Sequence, residues 1–266
     1  MLSIEEIVLL IEKLEKLRGT DFDRLIDDNL KILKDLQKVV DTNNAKLSGS
    51  REKTVGWFTR DLANKRNKQR NLLLERTIQL KIYQFARANI YSSLEIGPGN
   101  GDFSMDFRKW KSNYFVDVIP GYEKTIRSKF PPAHQKYLNF LTTEPEQSDL
   151  SAIPSAAINF VFSWDTFVFF DQKLINEYLE KIYGLLVPGG FCFIQYADCH
   201  YDLDLTNAKN GYWRYNNKNE MSRIIEAQGY KIIEMNQFCP GANFAIFQKP
   251  GNQKTQVYKI SEITLD

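Results

Sequence analysis

The stretch Ser93-Leu-Glu-Ile-Gly-Pro-Gly-Asn-Gly-Asp-Phe-Ser104 constrains this chain more than any other. A short apolar run ends at an acid, Glu95, and passes through Gly97, Gly99 and Gly101 on alternate positions. Glycines so close together are needed where the backbone turns sharply and a ligand must approach without a Cβ in the way. A strand that feeds through such a loop into a helix is the ligand-binding corner of a doubly wound α/β sheet. The spacing is GxGxG, whereas a dinucleotide site shows GxGxxG.

Beyond the loop, the chain has the rhythm such a sheet needs. Apolar runs at 93–96, 114–118, 136–140, 158–163, 191–196, 231–235 and 244–248 read as strands. Helical patterns near 102–110, 122–129, 173–186 and 219–228 fall between them. Alternating strands and helices predict a Rossmann-like, seven-stranded, mostly parallel sheet with helices on both faces. Residues 1–88 differ: they lack proline, hold little glycine and repeat apolar residues at helical spacing. Leu9, Leu10, Leu14 and Leu17 mark one helix, and Ile26, Leu30, Leu33, Leu36 and Val40 a second. After a linker at 43–50, a third is expected over 54–88. The chain therefore divides into an N-terminal helical extension, 1–88, and an α/β domain, 89–266.

Composition excludes several classes. The three cysteines, Cys192, Cys199 and Cys239, form no CxxC pair, which argues against structural zinc and a disulfide framework. The N-terminal apolar run is short and broken by acids, and no stretch is long enough to span a bilayer, so a cytoplasmic protein is expected. The net charge of +2 hides a basic segment. Arg51, Lys53, Arg60, Lys65, Arg66, Lys68, Arg70, Arg76, Lys81 and Arg87 meet only Glu52, Asp61 and Glu75. Such a segment is a solvated helix face or a grip on an anionic polymer such as RNA. Little aromatic interleaving favours RNA, with Trp57, Phe58 and Tyr83 among the few aromatics available.

The strand, acid and GxGxG loop resemble motif I of class I S-adenosylmethionine (SAM)-dependent methyltransferases. The order of later marks adds to that resemblance. Asp117 ends the second expected strand, where the family's acid accepts hydrogen bonds from a ribose diol. Asp149-Leu150 stands where a family residue contacts the adenine amino group. Ile158-Asn-Phe-Val-Phe-Ser-Trp-Asp-Thr-Phe-Val-Phe-Phe170 is similar to the fourth-strand motif of sugar-directed members, placing Ser163, Trp164 and Asp165 beside the cofactor. Phe169 or Phe170 occupies the position where those members often have histidine, so no catalytic or metal role transfers there. Leu185-Leu-Val-Pro-Gly-Gly190 is similar to the family's turn before the fifth strand. The resemblance covers about 92–249. It implies a cofactor site built from Glu95, Gly97, Pro98, Gly99, Gly101, Asp117, Asp149, Leu150, Ser163, Trp164 and Asp165. It also implies SAM as cofactor and S-adenosylhomocysteine as product. A divalent metal serves some sugar O-methyltransferases, but no carboxylate–histidine cluster indicates one here.

Methyl transfer from a sulfonium is an in-line displacement that leaves a neutral thioether. A hydroxyl acceptor needs its proton removed, and a base belongs near the end of the fifth strand. Tyr196-Ala-Asp-Cys-His200 lies there, making Asp198 and His200 the candidate catalytic residues. Asn210-Gly-Tyr-Trp-Arg-Tyr215 comes next, and flat aromatic faces with a forked cation suit a sugar. Tyr196, Tyr212, Trp213 and Arg214, with Trp57 and Arg60 from the helical extension, are the candidate acceptor contacts. The segment resembles that of sugar or glycan O-methyltransferases, which implies a sugar or glycan acceptor. No Asn/Asp-Pro-Pro-Tyr/Phe clamp, no Pro-Cys nucleophile and no HxE…PCxxC set is present. Two alternatives stay open. One is an RNA methyltransferase gripping phosphates with 51–87. The other is a non-catalytic subunit that scaffolds a partner through its N-terminal helices. On any of these readings, those helices are also a candidate contact for a homo-oligomer.

Overall fold

The computed structural model describes residues 68–85, 92–108 and 110–251. The first two expected helices, and the candidate contacts Trp57 and Arg60, lie outside the described residues. Seven strands form one sheet in the order β3-β2-β1-β4-β5-β7-β6. They are β1 (Ser92–Ile96), β2 (Ser112–Asp117), β3 (Leu138–Thr142), β4 (Ile158–Ser163), β5 (Leu186–Tyr196), β6 (Lys231–Gln237) and β7 (Asn243–Gln248). Pairing is parallel from β3 through β5, and β7 runs antiparallel to both neighbours. Five α-helices lie among the described residues: α1 (Lys68–Phe85), α2 (Tyr122–Lys129), α3 (Gln172–Leu185), α4 (Asp202–Lys209) and α5 (Lys218–Ala227).

The central strands are apolar on both faces because both faces are covered. On one side Leu94, Val161, Cys192, Ile194 and Phe247 pack against Ile175, Tyr178 and Leu179 of α3 and Met221 and Ile225 of α5. On the other, Phe160, Phe162, Phe193 and Phe244 pack against Ile78 and Ile82 of α1 and against Phe107 and Trp110. Each such large side chain taken from water contributes roughly 1.5–3 kcal/mol. Helix α3 starts where the Asp171 carboxylate accepts the Leu174 amide at 2.8 Å, and Asn217 caps α5 through the Glu220 amide at 3.0 Å. These caps fix where helices begin.

Several local features differ from expectation, among them β3, which runs two residues later than the strand expected at 136–140. The helix expected over 102–110 is a series of i→i−3 turns with a 3-10 segment at Ser104–Phe107. The Asn113 amide takes the Phe107 carbonyl at 2.9 Å, an acceptor an α-helix would use internally. The Pro-Gly-Gly stretch lies within β5 as an irregularity: pairing with β4 steps from Ile158–Leu186 to Phe160–Phe191, and Gly189 has φ +84°. There the Gly189 amide donates to the Lys249 carbonyl, and the Lys249 amide to that of Gly190, both at 2.9 Å. Helix α4, eight residues with just Asp204 and Ala208 buried, has too little apolar pattern to be read in advance.

Candidate functional site

Strand order reverses between β1 and β4, and in an open α/β sheet ligands settle beyond the carboxyl ends of the strands at that point. Both strands end there in the candidate residues. Gly97 leaves β1 at φ +70°, with its amide held by the Val116 carbonyl at 2.8 Å. A Cβ on Gly97 would lie 1.9 Å from Thr166 Oγ1, so the backbone of one loop presses on the side chain of the next. Gly99, at φ +53°, has, apart from its chain neighbours, no atom of the described residues within 4 Å of where its Cβ would stand. The loop is thus tight at Gly97 and open at Gly99, the shape needed for a ligand to come against bare backbone. Gly101 packs on α2, because a Cβ there would meet Ile126 at 2.4 Å. Pro98 is buried and accepts the Gly101 amide at 2.7 Å, closing the loop.

Two buried acids support this loop. The Asp117 carboxylate at the end of β2 accepts the Gly99 amide at 3.1 Å and the Ile119 amide at 3.0 Å. Burial pushes its pKa up, while those backbone donors hold it down. Each carboxylate oxygen has a second lone pair, so the group that shapes the loop retains acceptor capacity for a ligand. Glu95 is buried in β1 and accepts the Ser104 hydroxyl at 2.5 Å. Burial raises its pKa to about 8, with Asp106, Asp117 and Asp102 adding to the rise. An acid this poorly solvated, without a cationic side chain among those influences, favours a cationic ligand group beside it.

On β4, the buried Ser163 hydroxyl donates to the Ile96 carbonyl at 2.8 Å and locks the two strand ends together. Trp164 is buried between Phe103, Phe193 and Phe238. Asp165 stands exposed at φ +53°, and its amide donates to the Gln195 side chain at 2.5 Å. Aspartate adopts this left-handed conformation more readily than most non-glycine residues. Gln195 in turn donates to the Gly241 carbonyl at 2.8 Å and bridges the ends of β4, β5 and β7. The pair expected at the adenine is split. Asp149 is exposed and caps the Ser151 amide at 3.0 Å, which with the Ser151 hydroxyl lowers its pKa, whereas Leu150 is buried in the core.

The end of β5 brings the candidate base residues together. His200 Nδ1 lies 3.0 Å from Asp198 Oδ1. The Asp198 side chain is 4% exposed and that of His200 48%. A neutral imidazole that donates Nδ1–H to the carboxylate keeps Nε2 as an acceptor, the arrangement of a general base with an orienting acid. Tyr196 is buried, and its phenol is pushed well above the ordinary tyrosine range by that burial. Tyr201 and Tyr212 are exposed large aromatics, while Trp213 packs near Gly241 and Leu203. Arg214 is buried, with Nη2 3.5 Å from Glu146, and its amide donates to the Val168 carbonyl at 2.8 Å.

Sequence reasoning misses Thr166, Gln195, Asp204 and Asn243. Gln195 carries a signal: it is the polar residue in the apolar run Phe191-Cys-Phe-Ile-Gln-Tyr196. Lys81, from the basic segment, is engaged within the fold. It pairs with Glu234 at 2.7 Å and lies over the Phe244 ring. Among the described residues no helix is long and apolar enough to cross a membrane, and no group of three His, Cys, Asp or Glu is placed to hold a metal.

No protein-family model matches the chain. No curated protein matches it in sequence either. Solved structures do resemble it. A chain from the complex between the Haloferax volcanii Trm112 methyltransferase activator and a candidate methyltransferase is similar at a TM-score of 0.55 and 14% identity, over 76% of this chain and 100% of that one. The CurJ carbon methyltransferase is similar at 0.50 and 14%, over 68% of this chain. This chain spans just 54% of that protein's length. The [4+2]-cyclase SpnF is similar at 0.53 and 10%, over 67% and 81%. Other similar structures are SAM-dependent methyltransferases. The fold is therefore the class I methyltransferase fold, a scaffold that in the cyclase SpnF carries other chemistry.

Proposed function

We propose that this protein is a SAM-dependent methyltransferase acting on a hydroxyl oxygen, with a sugar of a glycan or an activated sugar as acceptor. The observation that carries the reading is the pairing of two half-sites at the strand ends. One is the bare-backbone loop at Gly97 and Gly99, braced by Asp117 and Glu95. The other is the Asp198–His200 pair at the end of β5. The residues present fit the cofactor. Gly99 leaves the loop open, Asp117 offers lone pairs to a ribose diol, and Glu95 suits an ammonium group. When bound, SAM supplies an electrophilic methyl on sulfur and leaves as neutral S-adenosylhomocysteine. His200 Nε2 takes the acceptor's hydroxyl proton as the new C–O bond forms and the C–S bond breaks. Asp198 stabilises the imidazolium until that proton passes to water. Tyr201 and Tyr212 present exposed aromatic faces that suit a sugar ring, which favours a carbohydrate.

The test uses methyl-labelled SAM with two acceptor pools, one of glycans and nucleotide sugars and one of RNA. Label is expected in the sugar pool. His200→Ala should reduce transfer roughly 10²–10⁴-fold, the usual contribution of a positioned base, while cofactor affinity stays near wild type. Asp117→Asn should weaken cofactor binding by about 10–100-fold in calorimetry, the effect of impairing hydrogen bonds to a charged acceptor. Label in RNA alone would transfer the function to the basic segment at 51–87. A wild-type protein that binds no SAM would end the methyltransferase reading. SAM binding with no turnover on either pool, plus a stable complex with another protein, would favour the scaffold.

A further inference from the structure

We propose that Asp204 is a positioning residue for the Asp198–His200 pair, acting through the Asp198 backbone and braced from behind by Asn243. The inference rests on the reading of His200 as the base.

The four amides after Ala197 are all tied down. The Asp198 amide donates to Asp204 Oδ2 at 2.7 Å, and the Cys199 amide to the Asn216 carbonyl at 2.9 Å. The His200 amide donates to Asp198 Oδ1 at 3.2 Å, and the Tyr201 amide to the Asp198 carbonyl at 2.9 Å. Asp198 is the hub of this turn, and the acceptor fixing its own amide is the Asp204 carboxylate. That carboxylate sits in the first turn of α4, fully buried. Its Oδ2 also accepts the Asn243 side-chain amide, from the first residue of β7, at 2.5 Å. Asp204 therefore joins three elements behind the base: the loop after β5, helix α4 and strand β7.

The arrangement is expensive for stability alone. Asp204 Oδ1 and Asn243 Oδ1 are both buried with no hydrogen-bond donor among the described residues. Burial raises the Asp204 pKa to about 6, and the neighbouring Asp198 charge adds to that rise. A neutral acceptor could hold the Asp198 amide without burying a second acid beside the first. What this acid supplies is a strong, short-range acceptor that leaves Asp198 one backbone position. From there its Oδ1 reaches both the amide and Nδ1 of His200. Positioning of this kind is how an active site holds a base in one tautomer.

The chain has two histidines, so both imidazoles can be resolved by long-range 1H–15N NMR on the full-length protein, without an acceptor. Wild-type His200 should show a protonated Nδ1 and an unprotonated Nε2 when neutral. In Asp204→Ala this bias should be lost and both tautomers appear, while His134 stays unchanged as an internal control. Asp204→Leu, which fills the space but accepts no hydrogen bond, should do the same and serves if the alanine variant fails to fold. Asp204→Asn keeps a neutral, weaker acceptor and should retain a tautomer bias between those of wild type and Asp204→Ala. An unaltered His200 tautomer in a folded Asp204→Ala or Asp204→Leu variant would overturn the proposal. Failure of the base reading has a separate signature: His200→Ala would transfer methyl at the wild-type rate. In a double-mutant cycle, Asp204→Leu should lower kcat about tenfold or more in wild type, leave the KM for SAM unchanged, and add nothing in His200→Ala.

Discussion

Gly97→Ala is expected to abolish cofactor binding and to lower Tm strongly, whereas Gly99→Ala should abolish binding with a smaller fall in Tm, of about 5 °C. Both glycines have positive φ, so each substitution strains the backbone by about 1–2 kcal/mol. The surroundings separate them. At Gly97 the new methyl would lie 1.9 Å from Thr166 Oγ1, 2.7 Å from its Cγ2 and 2.8 Å from its Cβ. Overpacking of that kind adds roughly 1–3 kcal/mol, because Thr166 must move and its hydroxyl also contacts the Gly97 and Trp164 carbonyls. Together these effects should lower Tm by about 10 °C in a domain of this size. At Gly99 the methyl meets no other atom of the described residues within 4 Å, so on the proposed reading the space it occupies is the ligand's. Adding Thr166→Ala to Gly97→Ala removes Oγ1 and Cγ2 but leaves Cβ, so Tm should recover in part and binding should not. Thermal melts and calorimetry with SAM on the four proteins check this. A Gly99→Ala protein that binds SAM normally would show that the ligand does not approach the loop as proposed.

That contrast between two neighbouring glycines indicates what a sequence can disclose. Alternate glycines after an apolar strand announce a loop without side chains, and continuous runs such as Phe160-Val-Phe162 and Phe191-Cys-Phe-Ile194 announce strands covered on both faces. The fold class is legible from these, and the sheet agrees with it. Tertiary facts are not legible. Nothing in the Gly97 neighbourhood of the chain points to Thr166, which lies 69 positions away and reaches the loop because β1 pairs with β4. Nor does Asp-Leu-Asp-Leu mark Asp204 as the buried one of the two acids, since burial of a carboxylate depends on what closes over it. The antiparallel course of β7 is equally silent locally. The 102–110 segment misleads because its apolar spacing suits a helix, while Asn113 and the Ser104–Glu95 bond impose tighter turns.

Glu95→Gln is expected to stabilise the fold at neutral and alkaline pH and to weaken cofactor binding. Burial raises the Glu95 pKa from 4.5 to about 8, so the folded protein keeps a proton that the unfolded chain has already lost. Stability attributable to this group is fully present below pH 4.5 and is lost as pH rises through about 8, because there the folded state must bury a charge. Glutamine has no such dependence, and its side-chain oxygen can still accept the Ser104 hydroxyl. The advantage of the variant should therefore grow from about pH 5, level off above pH 8, and reach on the order of 2 kcal/mol. Thermal melts across that range read it directly. A ligand ammonium beside Glu95 would do the opposite to wild type, since it favours the carboxylate and drives out the proton. SAM affinity of wild type should then rise with pH between about 5.5 and 7.5, by up to roughly tenfold per unit, with proton release visible as buffer-dependent binding enthalpy. Asp106, raised to about 6 and held by the Tyr83 hydroxyl at 3.0 Å, titrates in the lower part of this window. Asp204, also raised to about 6, titrates there too, so Asp106→Asn and Asp204→Asn are the controls that assign the dependence to Glu95. Wild-type affinity that stays flat across this window would place the ammonium elsewhere and leave Glu95 as a brace for the loop through Ser104.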